Sequence, residues 1–194
     1  MPTTLITGPV RSGKSRFAER LAQEATGRVI YVATADPRPG DLEWEARLAA
    51  HQRSRPREWE VIESARSGRD LIEIINTAAP ESAIIVDSLG TWLAAQMVSP
   101  NSGAEDDAVA LEAALDADCR GLDAALRSAS ALMILVSEEV GWGIVPIYPS
   151  ARVFRDVLGR LHQAIAKHAE RIYLVINGFA IDLHASGFPI AADQ

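Results

Sequence analysis

Residues 8–15 read Gly8-Pro9-Val10-Arg11-Ser12-Gly13-Lys14-Ser15, and no other stretch of the chain restricts its fold as strongly. The pattern G-x-x-x-x-G-K-[ST] needs a strand that ends, a backbone that winds around a small anion, and a helix that starts at once. Gly8 and Gly13 let the backbone wind with its N–H groups facing inward, and the positive end of the following helix adds to the attraction. Lys14 is a mobile charge for the β- and γ-phosphates of a nucleoside triphosphate, and the Ser15 hydroxyl is a magnesium ligand. Leu5-Ile6 ahead of the loop suits the strand, and Phe17, Leu21 and Ala25 behind it suit the helix.

The rest of the chain fits that frame. Continuous apolar runs at Val29-Ile30-Tyr31-Val32, 83–86, 132–136 and 172–176 read as strands buried on both faces of a parallel sheet. Glu58 to Ile62 alternates polar and apolar residues, which suits an edge strand. Between them, Val153, Val157, Leu161 and Ile165 recur at helical spacing, as do Leu111, Leu115, Cys119, Leu122 and Leu126. The expected fold is α/β: a P-loop NTPase-type, RecA-like, mostly parallel sheet with helices on both faces, forming a single domain over residues 1–194. Asp36 to Gly40 and Ser99 to Asp107 are rich in turn residues and read as internal loops.

Composition narrows the partners. A net charge of −7 argues against nucleic acid. No apolar run approaches the ~20 residues that span a bilayer. The opening residues lack a basic stretch, so the expected location is the cytoplasm. The one cysteine, Cys119, lies on an apolar helical stripe and reads as core. His51, His162, His168 and His184 have no metal-ligand spacing; the last three read as surface or packing residues.

A P-loop needs a carboxylate near its magnesium, and Asp87 ends the buried run Ile84-Ile85-Val86 on the side where open α/β sheets bind ligands. Asp87 or Ser88 could equally cap the helical stretch that follows, and the two roles are compatible.

Several further segments resemble one family throughout. They are the loop from Gly8 to Arg16, the stretch 41–56 around His51, Val136-Ser137, Val140-Gly141-Trp142-Gly143-Ile144-Val145-Pro146, Arg152, Phe154-Arg155-Asp156 and Gly159-Arg160-Leu161-His162-Gln163. Their order and spacing are similar to those of the adenosylcobinamide kinase/adenosylcobinamide-phosphate guanylyltransferase family of cobalamin biosynthesis. The resemblance implies a bifunctional transferase that phosphorylates adenosylcobinamide with ATP or GTP. It then moves GMP from GTP through a guanylylated histidine, here His51. A neutral imidazole suits nucleophilic attack on phosphorus; the pattern alone also allows a surface histidine on an amphipathic helix. By the same resemblance Arg55, Glu63, Ala33, Thr34 and Ala35 approach the nucleotide, Mg2+ accompanies it, a corrinoid is the acceptor, and the protein is a trimer. Arg53 and Arg57 read as surface.

The loop 141–146 is either a lid over substrate or a packed turn anchored by Trp142. Two departures from the family pattern bear on the acceptor: Glu138 stands where many relatives have asparagine, and Ile147-Tyr148 where many have Glu-Asn. Two rival readings share the P-loop: a small-molecule kinase without a nucleophilic histidine, and a nucleotide switch without an acceptor.

Overall fold

A computed structural model describes residues 3–35, 40, 56–64, 70–98 and 107–190. The β-branched runs form the expected strands because fully buried positions favour residues that pack well on a pleated surface. They are β1 (Thr3–Thr7), β2 (Val29–Ala33), β3 (Glu60–Glu63), β4 (Ala83–Asp87), β5 (Leu132–Val136) and β6 (Arg171–Ile176), followed by β7 (Phe179–Asp182). The helices are α1 (Lys14–Gln23), α2 (Leu71–Asn76), α3 (Leu89–Met97), α4 (Ala108–Ser128), α5 (Pro149–Ala166) and the short α6 (Leu183–Ser186). The seven strands make one sheet in the order β3-β2-β4-β5-β1-β6-β7. All neighbours are parallel except β6 and β7.

Alternation along each strand divides the core into two layers. Leu5, Ile30, Val32, Ile84, Val86, Met133 and Leu135 face the larger layer, where α2, α3, α4 and α5 contribute Ile74, Leu93, Leu115, Leu122, Val157 and Leu161. Ile6, Tyr31, Ile85, Ile134 and Val136 face the other, which Ala18 and Ala22 of α1 cover. Small residues there let α1 sit close against the sheet. This shifts the buried stripe of α1 by one residue from the expected one. Phe17 and Leu21 are only partly buried, and Phe17 meets Tyr173 edge-on with ring centroids 5.0 Å apart.

Two further differences from expectation have simple causes. The β6 run is apolar like the central strands, yet only Val175 is fully buried, because its outer neighbour is the exposed β7. β7 itself is not among the strands read from the sequence. Its signal is the tight turn Asn177-Gly178, both residues at positive φ (51° and 83°), which returns the chain antiparallel to β6. Cys119 is buried on α4, as expected, and burial raises its thiol pKa to about 12. The loops 36–39 and 99–106 lie outside the described residues.

Candidate nucleotide site

The loop at the end of β1 is fixed almost wholly by backbone. Gly8 has φ 149° and Gly13 φ 104°. A Cβ on Gly8 would also collide with the carbonyl oxygen of Val175, so only glycine fits there. Ser12 N–H donates to Pro9 O at 3.3 Å and closes the turn. Strands on either side hold it in place: Glu139 N–H, just past β5, donates to Gly8 O at 2.9 Å, and Gly178 N–H, just past β6, donates to Ser12 O at 2.9 Å. Gly13 is the residue before α1, so the loop delivers the chain directly to a helix N-terminus.

Lys14 is buried at the start of α1, and its Nζ donates to Pro9 O at 2.8 Å. Burial lowers its pKa, and the negative charges of Glu138, Asp87 and Glu139 oppose that shift. The loop therefore opens onto a cleft of about 890 Å³ lined by Val10, Arg11, Ser12, Gly13, Lys14 and Ser15 on one side. Ala33, Ala35, Asp87, Ser88, Thr91 and Glu138 line the opposite side. Val175, Gly178 and Ala180 bring in the β6–β7 turn, and Arg16 and Arg20 add two cations from α1.

Asp87 ends β4, one strand removed from β1, a separation of roughly 10 Å at ordinary strand spacing. The Tyr31 hydroxyl donates to its Oδ2 and fixes the carboxylate at the cleft wall. Ser88, not Asp87, caps α3: its Oγ accepts from Thr91 N–H at 3.2 Å, which leaves Asp87 free of capping duty. Thr34 is buried, and its side chain is engaged in this turn. It donates to Ser88 O at 2.6 Å and accepts from Ser88 N–H at 2.8 Å. Its neighbours Ala33 and Ala35 face the cleft instead. Glu63 lies beside Ala33 in the edge strand β3 and is not among the cleft-lining residues. His51 and Arg55, with Arg53, lie outside the described residues, and Arg57 is exposed.

Some lining residues escape sequence reasoning. Ser88 and Thr91 look like ordinary helix-start residues, and Gly178 and Ala180 come from a hairpin with weak patterning. Glu138 stood out as a departure from the family pattern. Its Oε1 accepts from Ser88 Oγ at 2.6 Å, and the missing side chain of Gly90 makes room for its other oxygen. Burial raises its pKa, with Asp87 adding to the effect and Ser88 and Lys14 opposing it.

Beyond β5 the loop 141–148 is not a turn packed on its tryptophan, since Trp142 is 58% exposed and Ile144 97%. Side chains from α5 hold it. Arg155 Nη2 donates to Gly141 O at 2.7 Å, and Arg152 Nη1 donates to Pro146 O at 3.0 Å and Ile147 O at 2.6 Å. Beneath it, His162 Nε2 lies 2.7 Å from Ser137 Oγ, and burial lowers the His162 pKa to about 4, so the ring is neutral.

A parallel sheet with a glycine-wound loop between β1 and α1, a buried lysine, and a carboxylate one strand away defines a P-loop nucleotide-binding protein. A solved ATPase from a bacterial type III secretion system has the same fold, with a TM-score of 0.56, 12% identity, and an overlap of 97% of this chain and 59% of that one. The sequence relationship is narrower. The family of cobinamide kinase / cobinamide phosphate guanyltransferase matches residues 4–183, and the chain belongs to that family and is a transferase. It is 36% identical over 182 residues to the bifunctional adenosylcobalamin biosynthesis protein CobU of Salmonella typhimurium, covering 92% of this chain and 98% of that protein. The Escherichia coli CobU is 34% identical over 183 residues, again with 92% and 98% covered. The Pseudomonas aeruginosa CobP is 36% identical over 179 residues, with 92% and 95% covered.

Proposed function

We propose that this chain, acting as one nucleotide-binding domain over residues 1–194, carries out two successive transfers. In the first, the hydroxyl of adenosylcobinamide attacks the γ-phosphorus of ATP or GTP, and the nucleoside diphosphate leaves. In the second, a ring nitrogen of His51 attacks the α-phosphorus of GTP and pyrophosphate leaves. A phosphate oxygen of adenosylcobinamide phosphate then displaces His51 to give adenosylcobinamide-GDP. The family match over nearly the whole chain, together with the complete P-loop cradle, carries this reading.

Within it, backbone N–H groups of the loop 8–15, Pro9 apart, and the Lys14 ammonium hold the phosphates. Lowering of the Lys14 pKa by burial is opposed by the surrounding carboxylates, which helps it carry charge. Ala33, Thr34, Ala35, Arg55 and Glu63 are assigned to the rest of the nucleotide. Among the described residues no three His, Cys, Asp or Glu side chains form a metal-binding group. Magnesium does not require one, since it binds through few protein oxygens plus phosphates and water. Ser15 and Asp87 are hard oxygen donors on the same cleft and fit that demand. Bound there, the ion would neutralise phosphate charge. A cytoplasmic location and a homo-oligomer, specifically a trimer, belong to the same reading; no helix among the described residues is long and apolar enough to cross a membrane.

Intact-protein mass spectrometry after incubation with GTP and magnesium tests the histidine step. One acid-labile GMP adduct is expected on the native chain and none on His51→Ala. A native chain that binds GTP and forms no adduct would leave a simple kinase.

A further inference from the structure

The nucleotide cleft has two arms, and the phosphate loop lies between them. In the sheet, β2 and β4 stand on one side of β1, and there Ala33, Ala35 and Asp87 line the cleft at the strand ends. Val175, Gly178 and Ala180 belong to β6, the turn after it and β7, on the other side of β1. Beside this second arm α1 contributes Arg16, Phe17 and Arg20. The contacts assigned above to the rest of the nucleotide include Ala33, Thr34, Ala35 and Glu63, all on the β2–β3 side. β2 is three strands from β1, about 14 Å at ordinary spacing. Those contacts leave the β6–β7 arm without a role.

The direction of a bound triphosphate decides which arm its nucleoside enters. In phosphoryl transfer the P-loop lysine and the acidic residue of the metal side attend the β- and γ-phosphates. Asp87 ends β4, and Glu138, just past β5, adds a second acidic residue to that wall. A triphosphate whose γ end faces Asp87 sends its α-phosphate and nucleoside the other way, over the start of α1 toward the β6–β7 turn. Charge agrees with that direction, since Arg16 and Arg20 are cations on the cleft where the α-phosphate passes. Shape agrees as well. Phe17 meets Tyr173 edge-on, and the Arg20 guanidinium lies 5.2 Å from the Phe17 ring centroid. Gly178 has no side chain, and a Cβ there would meet nothing within 4 Å. Ala180 is small and exposed. An open arm bordered by an aromatic ring, a guanidinium and small residues suits a planar heteroaromatic base.

We infer that the β6–β7 arm receives the purine of the triphosphate that donates its γ-phosphoryl group, whereas the β2–β3 side receives the guanosine of the second transfer. One loop then holds the phosphates of nucleotides that lie in opposite directions. The inference rests on the two transfers proposed above and deepens the first of them.

The test uses the full chain and 8-azido-ATP, whose base cross-links on illumination to the residues it touches. Peptide mapping is expected to place the label that excess ATP suppresses within residues 16–20 or 173–182. No such label on this arm, or a label confined to residues 29–35 or 60–64, overturns the assignment. Ala180→Trp, on an exposed strand, fills the arm. It is expected to raise the KM for ATP in cobinamide phosphorylation about ten-fold or more, and to change the rate of GMP loading onto His51 from GTP by less than about two-fold. An equal loss in both steps overturns the two directions and gives both nucleotides one arm, and no loss in either overturns the arm as a base site. A labelled arm in a chain that phosphorylates no cobinamide upholds the site and refutes the kinase reading; phosphorylation with the label on the β2–β3 side does the reverse.

Discussion

The phosphate cradle and the segment 141–148 follow adjacent parallel strands, β1 and β5, at the same edge of the sheet and are held by different means. Backbone bonds to both neighbouring strands fix the cradle, and its working side chains are nearly buried: Ser12 is 5% exposed and Lys14 8%. Guanidinium groups reaching over from α5 fix the second segment, whose apolar side chains stand in solvent. A backbone-held site can be written in eight contiguous residues, because what it requires is local conformation. A site held from a distant helix has no such signature.

If that contrast is sound, damage to the cradle should be severe and damage to the segment mild. Lys14→Ala should reduce phosphoryl transfer by about a thousand-fold or more, since it removes a charge aimed at the reacting phosphate; steady-state rates with saturating nucleotide would show it. Gly8→Ala should destabilise the fold by about 2–4 kcal/mol, because a Cβ meets Val175 O and the positive φ is unfavourable for alanine. Urea unfolding checks this, and a change under ~1 kcal/mol would mean the cradle yields more easily than its bonding implies.

The support under the second segment responds to pH. His162 has a folded pKa of about 4 against an ordinary 6.5, so the folded state resists protonating it while the unfolded state does not. Its contribution is complete above about pH 6.5 and is lost as pH falls toward 4, a loss on the order of 3 kcal/mol. Unfolding midpoints measured across that range should fall less steeply for His162→Gln. Smallest of all, Arg152→Ala removes two exposed hydrogen bonds and should lower stability by under about 1 kcal/mol. Faster proteolytic cleavage between residues 141 and 148 is the expected sign.

How far each part was legible follows from the same distinction. The strands of the sheet were visible because parallel strands buried on both faces carry unbroken apolar runs. The cradle was visible because its glycines are required by conformation. Asp87 could be picked out by its place at the end of a buried run, but the capping question needed the Ser88 and Thr91 bonds to answer it. β7 was missed because an exposed edge strand has no hydrophobic constraint to reveal it. Trp142 invited a packed turn, since large aromatics are usually buried, and nothing local announced that Arg152 and Arg155 would hold the loop from outside.

The two amides that clasp the cradle, Glu139 N–H and Gly178 N–H, come from segments leaving β5 and β6, the strands flanking β1. Opening either bond would free one side of the cradle from a strand that flanks β1. In deuterated water these two amides should therefore exchange as slowly as those of β1 itself, and bound nucleotide should slow all of them together. Their exchange would then report how far the phosphate loop shares the stability of the strands beside it.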